Sequence, residues 1–500
     1  MNKNCLSKSK YCKGVQCEKI LWLSKYKSEL AKKENNDAIL ENGRKVGEFA
    51  KGLFGDYIDV FDDDDSVMIE KTGKLLEDKP NIITEATFSY DDNLCRVDIL
   101  KNDVDGVEIY EVKSSTKIKD IFLDDIAYQY FVLSNLGLTV KKACIVHLNN
   151  KTYVRGKELD INQLFDIVDL TDIVWKKQDE IKDKIDEINS FMEIHGEDNE
   201  PQIDLGIHCC EPYHCAFWQY CSHDLPENNV FDLKGRMWKS TKFKKYHEGK
   251  ISFEDLQNDD LSERYLEQID FELNNREPKI DKDAIKEVLD SLKYPLYFLD
   301  YETINPAIPE FEGTKAYQQI PFQYSLHIKQ EEGAPLEHKE FLAEVNDENM
   351  IRTFAESMVN NIPEDGSVIV YNQKFEKSLV NEKLAEMYPD LNDEIKRIND
   401  NMVDFMVPFE KRKYYTKEMK GSHSIKYVLP ALFPDDVELD YSKLQLIHKG
   451  DEASNAFLTL KNQTPEKQKE IRDALLKYCE LDTYAMVKIW EKFKEVINEN

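Results

Sequence analysis

Apolar positions recur with period two in the middle of the first third of the chain and with helical spacing on either side of it. Residues 96–100 (RVDIL) and 108–113 (EIYEVK) are apolar runs separated by a polar turn, 101–106, rich in Asn, Asp and Gly. That pattern predicts a β-hairpin. Alternation along the strand puts Val107, Ile109, Glu111 and Lys113 on one face, with Asp98 on the partner strand. Upstream, residues 11–33 predict a Cys-containing turn and a helix with an apolar side of Ile20, Leu21, Leu23 and Tyr26. Residues 37–54 predict a second amphipathic helix through Ile39, Val46, Phe49, Ala50 and Phe54. Strands are expected around Glu85 and Asp98 within 81–100. Downstream, 124–136 predicts a helix closed by Gly137, with Asp125, Gln129 and Val132 on one face. Residues 142–148 predict a buried strand with 151–155 as its hairpin mate, and 160–195 a charged helical stretch.

The remainder changes character twice. Residues 222–290 are polar and helical in pattern, which predicts a connector or small helical domain. From 296 an aromatic strand ends in Asp300-Tyr301-Glu302, and strands are expected at 322–328 and 367–371. The latter leads into Asn372 to Glu376 and a helix, and 471–490 predicts a last helix on which Tyr478 and Asp482 share a face at i, i+4. The division expected is 1–222, 223–290 and 291–500, in line with a 500-residue chain.

Composition narrows the class. A hydrophobic content of 41% with 33% charged residues describes an ordinary soluble protein, and the mix of strand and helix patterns an α/β fold. No apolar run is long enough to span a bilayer, and the lysine-containing N-terminus has no apolar run after it, so no secretory signal and a cytoplasmic location are expected. The net charge of −30 argues against a nonspecific basic coat on nucleic acid, but leaves room for carboxylates that hold metal. The basic and aromatic stretch 238–250 fits phosphate contact and stacking, or simply a solvated helix face. The acidic run 62–65 is read as a loop without a role.

Three groups of residues carry candidate chemistry. The first is Asp98 with Glu111-x-Lys113. Carboxylates hold a hard divalent cation through oxygen, the cation activates water, and an ammonium stabilises developing charge. An E-x-K on a solvated strand is the plain alternative. The second is the cysteines: Cys209, Cys215 and Cys221 are spaced six apart and, with Cys17, make four thiolates. In a reducing compartment that count fits an iron–sulfur cluster or a zinc site rather than disulfides; unligated core cysteines are the third reading. Cys210 and Cys12 are substitutes, whereas Cys5, Cys95, Cys144 and Cys479 look ordinary. The third is D-x-E at 300–302, Glu376 opening a later helix, and Tyr478-x-x-x-Asp482 on the last, a second acidic set suited to metals.

On these residues two parts of the chain resemble known families. Residues 17–221 resemble the RecB-like nucleases of the PD-(D/E)XK superfamily that carry a cluster, such as the AddB nuclease domain and the CRISPR-adaptation exonucleases. The resemblance implies metal ligation by Asp98 and Glu111, with Glu85 as a third acid. It implies assistance from Lys113 and Gln129, and a structural 4Fe-4S cluster on Cys17, Cys209, Cys215 and Cys221, with zinc as the alternative. The chain departs from the pattern at Leu133, where a tyrosine is usual, and at Gly47, where the G-x-x-V-H motif has a histidine; Glu48 stands beside it. The first cysteine spacing is also longer than the usual C-x2-C. Residues 296–490 resemble DnaQ-like DEDD 3′–5′ exonucleases of RNase H-like fold. That implies metal ligands Asp300, Glu302, Glu376 (where Asp is usual) and Asp482, with Tyr478 orienting water and Asp404 in reserve.

The resemblances imply a hydrolase: a Mg²⁺- or Mn²⁺-dependent nuclease with two active sites, acting on nucleic acid, most simply DNA, and plausible in DNA repair or phage defence. The competing expectation, from the departures above, is a nucleic-acid-binding or scaffold protein with degenerate sites.

Overall fold

A computed structural model describes residues 5–32, 37–78, 81–345 and 347–498. It is a mixed α/β protein whose two larger sheets are both of mixed direction. Among the described residues no helix is long and apolar enough to cross a membrane. Its contacts gather into two compact units, Met1–Leu225 with Pro306–Gln318, and Pro226–Asn305 with Gln319–Asn500. The stretch 223–290, read from sequence as a connector, lies almost wholly within the second unit.

The N-terminal unit is built on seven strands: β1 (Leu6–Ser7), β2 (Ile58–Asp59), β3 (Asn81–Tyr90), β4 (Asn93–Asp103), β5 (Gly106–Lys113), β6 (Val140–Leu148) and β7 (Phe165–Asp169). Their order is β2-β3-β4-β5-β6-β7, with β1 also on β4. The predicted hairpin forms, and its loop is only Val104-Asp105. The β4–β5 ladder runs from Asp103–Gly106 to Ile99–Tyr110, and beyond it β5 pairs only with β6. At its other end β4 takes β1 in parallel, Leu6 opposite Asn93. Asp98 therefore sits where two neighbours of β4 part. The parallel β5–β6 step needs a crossover, supplied by the helix Asp120–Asn135. Its Phe122, Ile126, Val132 and Leu133 are buried in one core with Val97, Leu100, Ile109 and Ile145. Gly137, at φ +85°, ends it in the left-handed region where glycine has no steric cost.

Two expectations fail here. Residues 151–155 form no strand; β7 is the antiparallel partner of β6, and the backbone at Arg155 bonds Gly313 and Thr314 instead. The expected apolar face of helix Asp37–Lys51 shrinks: Val46 and Ala50 are buried where the helix meets β4 and β5, but Ile39 is 70% exposed and Phe49 43%.

The second unit carries β8 (Lys279–Ile280), β9 (Leu296–Ile304), β10 (Ile320–Lys329), β11 (Leu336–Leu342), β12 (Ser367–Val370), β13 (Met402–Asp404) and β14 (Tyr414–Tyr415). The main sheet has the order β11-β10-β9-β12-β13, antiparallel across β11, β10 and β9 and parallel across β9, β12 and β13. The last helix, Pro465–Asn498, packs on β9 and β10. It is pinned by every second residue of β10, as strand alternation requires. Gln323 Nε2 donates to the Leu475 carbonyl at 2.7 Å, and Ser325 and His327 both reach the Thr483 hydroxyl, at 2.7 and 2.8 Å. The helix register that faces Tyr478 and Asp482 to the sheet is thus fixed by buried polar contacts as well as by packing.

Gly366, just before β12, has no room for a side chain: a Cβ would lie 2.1 Å from the Pro295 carbonyl oxygen. Gly366→Ala is expected to destabilise the second unit by about 2–4 kcal/mol, lowering its melting temperature by roughly 5–10 °C in a calorimetric scan.

Candidate functional site

The N-terminal cluster forms in the gap where β5 leaves β4. The Val112 N–H, freed from the ladder, donates to Asp98 Oδ2 at 2.6 Å. Glu111, 2% exposed, receives three side chains: Lys8 Nζ at 2.5 Å, Lys113 Nζ at 2.8 Å, and Gln129 Nε2. Lys113 also bonds Asp125, which accepts from the Cys12 thiol at 3.0 Å. Burial and then the Glu111 charge push Asp98 up to about 7. Burial also opposes an ionised Glu111, but the Lys113 and Lys8 ammoniums outweigh it and hold that carboxyl at about 2. Gln129 is fully buried, and its Oε1 has no hydrogen-bond partner among the described residues. An orphaned acceptor beside two carboxylates fits a site that takes up a further group.

The structure thus brings Asp98, Glu111, Lys113 and Gln129 together. It does not bring Glu85 to them. Glu85 sits at φ +58° in an interruption of the β3–β4 ladder, and the charges around it are those of Lys51, Asp59, Arg96 and Glu48. The left-handed backbone at Glu85 breaks the regular strand alternation there. Glu48, the stand-in for the missing histidine, is paired with Lys51 at 2.8 Å.

The four predicted cysteines converge. Cys17, at the boundary between helices Lys8–Gln16 and Glu18–Tyr26, lines one cavity with Cys209, Cys215 and Cys221. Cys12 turns to Asp125 instead, and Cys210 does not line the cavity. Burial pushes the Cys209 thiol up to about 12 and Cys215 to about 11, as expected of thiols held in a largely apolar shell. Tetrahedral zinc holds its sulfurs about 3.8 Å apart, from a Zn–S bond of about 2.3 Å. Among the described residues the one group of three or more Cys, His, Asp or Glu ligand atoms all within 4.8 Å of one another is elsewhere. Four thiols lining one cavity could hold a zinc ion or an iron–sulfur cluster. Around it Trp22, Leu23, Ile20 and Phe217 form a small core, and Glu200 gathers Lys19, Lys27 and Tyr220.

That close group is Asp300, Glu302 and Asp482. Alternation on β9 puts the first two on one face, and the last helix supplies the third. Glu376 enters from the π-helical turn Phe375–Asn381 after β12; it is 2% exposed and its Oε2 lacks a hydrogen-bond partner among the described residues. Burial, followed by the Asp482, Glu302 and Glu376 charges, drives Asp300 far above the ordinary carboxylate range. Burial drives Glu302 the same way, Glu376 to about 8 and Asp482 to about 6. Four crowded, largely buried carboxylates are poorly stable as anions without a cation, and oxygen ligands of this kind suit Mg²⁺ or Mn²⁺.

Two residues of this site went unread in the sequence. The Tyr441 hydroxyl donates to Asp482 at 2.5 Å, alongside the bond from Tyr478, and Lys426 places a positive charge near Glu302 and Asp482. Neither lies in a motif; only the fold brings the 425–443 segment to the acids. Asp404 is no reserve ligand: its carboxylate accepts from the backbone N–H groups of Asn372, Gln373 and Met406 and so builds the turn that presents Glu376. In the basic stretch 238–250, Lys242, Lys245 and Lys250 are taken up by internal carbonyls and Asp259.

Comparison with known proteins adds relationship without chemistry. Residues 297–424 match a family described as a domain of unknown function, DUF2779. The chain is 25% identical over 418 residues to Uncharacterized protein MG366 of Mycoplasma genitalium, covering 74% of this chain and 59% of that protein. It is 29% identical over 269 residues to Uncharacterized protein UU173 of Ureaplasma parvum, covering 49% and 38%. The chain therefore spans less than two thirds of the length of these relatives. No solved structure matches.

Proposed function

We propose that the protein is a metal-dependent nuclease with two hydrolytic sites, the C-terminal one a 3′–5′ exonuclease site, and that the cysteine cage holds a structural 4Fe-4S cluster. The observation that carries this is the C-terminal set of buried acids, Asp300, Glu302 and Asp482 within 4.8 Å of one another with Glu376 beside them. Such a set has no structural use that salt bridges would not serve better. A divalent cation bound there would supply an activated water and charge neutralisation at phosphorus. Of the chain's own residues, Asp300, Glu302, Glu376 and Asp482 would hold it. Tyr478, whose hydroxyl bonds Asp482, would orient the attacking water, and Tyr441 also holds that carboxylate. In the N-terminal unit Asp98 and Glu111 would be ligands, Lys113 would stabilise the phosphate's developing charge, and Gln129 would hold Glu111 in position. DNA as substrate, and a role in repair or phage defence, rest on the family resemblance.

One observation favours a second reading for the N-terminal site. Lys8 and Lys113 already neutralise Glu111, and Glu85 and a histidine are missing from the ligand set. This fits a nucleic-acid-binding unit without catalysis. Mn²⁺ titration separates the two. A nuclease with two live sites is expected to bind Mn²⁺ in the micromolar to millimolar range, Asp98→Ala abolishing one set of sites and Asp300→Ala the other. Binding unaffected by Asp98→Ala would leave the N-terminal unit a binding module.

A further inference from the structure

Lys8 has no part in the reaction proposed above, yet three local devices deliver it to the site. β1 lies on β4 with Ser7 opposite Leu94, and the Ser7 side chain caps the helix Lys8–Gln16 by accepting from the Lys10 N–H. Lys8, the first residue of that helix, places its ammonium 2.5 Å from Glu111 Oε1, the oxygen that Lys113 also holds. The helix is then fixed along its length. Tyr11 stacks on Tyr128 with ring centres 4.7 Å apart, Cys12 bonds Asp125, and Gln16 Nε2 donates to the carbonyls of His208 and Tyr213 beside the cysteine cage. A lysine so constrained, with its side chain 19% exposed, is not a solvated surface charge.

The formal charges of the site now decide how many cations it takes. Asp98, Glu111 and the Lys113-bound Asp125 bring three negative charges, against two positive ones from Lys8 and Lys113. Neither Asp125 nor a histidine joins Asp98 and Glu111 in a close ligand group among the described residues. Two carboxylates have oxygens for one divalent cation, whereas the C-terminal site has four acids.

We propose, resting on the nuclease reading of this site, that the N-terminal site works with a single divalent cation and that Lys8 stands in for a second, giving a fixed positive charge to the phosphate being cleaved. Lys8 then has two opposed effects. It competes with the cation for Glu111 and so weakens metal binding. It also adds charge where the transition state becomes more negative, and so speeds cleavage. A residue with a merely structural role would help or harm both together.

The test uses the full chain carrying Asp300→Asn and Asp482→Asn, which removes the C-terminal ligands. Mn²⁺ is counted by calorimetry and electron paramagnetic resonance, and single-turnover cleavage of DNA is followed at saturating Mn²⁺. One Mn²⁺ per chain is expected, lost in Asp98→Asn. Lys8→Ala is expected to bind Mn²⁺ about three- to tenfold more tightly, from the removed like charge. The same variant should cleave about tenfold or more slowly, and Lys8→Arg should restore most of the rate. Two Mn²⁺ per chain, or Lys8→Ala and the near-isosteric Lys8→Met leaving both quantities unchanged or lowering both together, would overturn the proposal while leaving the nuclease reading intact. A Mn²⁺ count that Asp98→Asn does not change removes the nuclease reading of this site, and the inference with it.

Discussion

Asp300→Asn is expected to stabilise the metal-free protein while abolishing Mn²⁺ binding at the C-terminal site. Asp300 is crowded by Asp482, Glu302 and Glu376 in a place largely shielded from solvent. Holding that carboxyl unionised on folding, or charged against its neighbours, costs stability at neutral pH that Asn does not incur, a gain of about 1–3 kcal/mol or several degrees in melting temperature for a unit of this size. Asn is nearly isosteric, so no cavity offsets the gain. Addition of Mn²⁺ should then reverse the ranking: the wild type gains stability by binding, and the variant does not. Calorimetric scans of both proteins with chelator and with excess Mn²⁺ check this. A variant less stable than wild type in chelator would mean that the acids are already neutralised or bonded in some other way, and the metal site would lose its best physical support.

Cys209→Ser is expected to give the larger loss in the N-terminal unit. The four sulfurs come from both ends of that unit, and the group they hold would tie the ends together. Because a bound metal centre contributes its binding energy to folding, losing it is expected to cost about 3–5 kcal/mol net and roughly 10 °C in melting temperature. The surrounding core of Trp22, Leu23 and Phe217 and the Glu200 ion pairs should keep the chain from unfolding outright. Wild type purified without oxygen is expected to be brown, with iron and sulfide near four per chain as a 4Fe-4S cluster requires, and Cys209→Ser colourless. A colourless wild type with one zinc would contradict the cluster, and wild type and Cys209→Ser melting alike without iron or zinc would make the cysteines plain core residues.

The acids of the second site were legible because strand and helix periods fix side-chain faces locally. D-x-E on β9 and Y-x-x-x-D on the last helix need only their own element to be assigned. The same arithmetic placed Glu111 and Lys113 beside Asp98. Glu85, expected as a third acid, is kept apart by one left-handed residue that interrupts the ladder, a deviation that no side-chain pattern announces. Lys8, Tyr441 and Lys426 were illegible for a different reason. Each reaches its site through tertiary placement of a short segment: a two-residue strand for Lys8, and the loop and helix between 425 and 443 for the others. The β7 pairing was missed because 165–169, an edge strand with Ile167 exposed, lies within a stretch whose charge reads as helix. Asp404 shows the converse: an acid near a metal motif that the fold spends on three backbone amides.

The most direct measurement is cleavage of end-labelled single- and double-stranded DNA and RNA, with Mg²⁺ or Mn²⁺, by anaerobically purified wild type, Lys113→Ala and Asp300→Ala. If the chain is a nuclease with two hydrolytic sites, wild type degrades at least one of these substrates. Each variant then loses a different part of the activity, Asp300→Ala the shortening from 3′ ends. Wild type that cuts none of them with either metal would contradict the account, leaving two acidic clusters in folds that bind nucleic acid without breaking it.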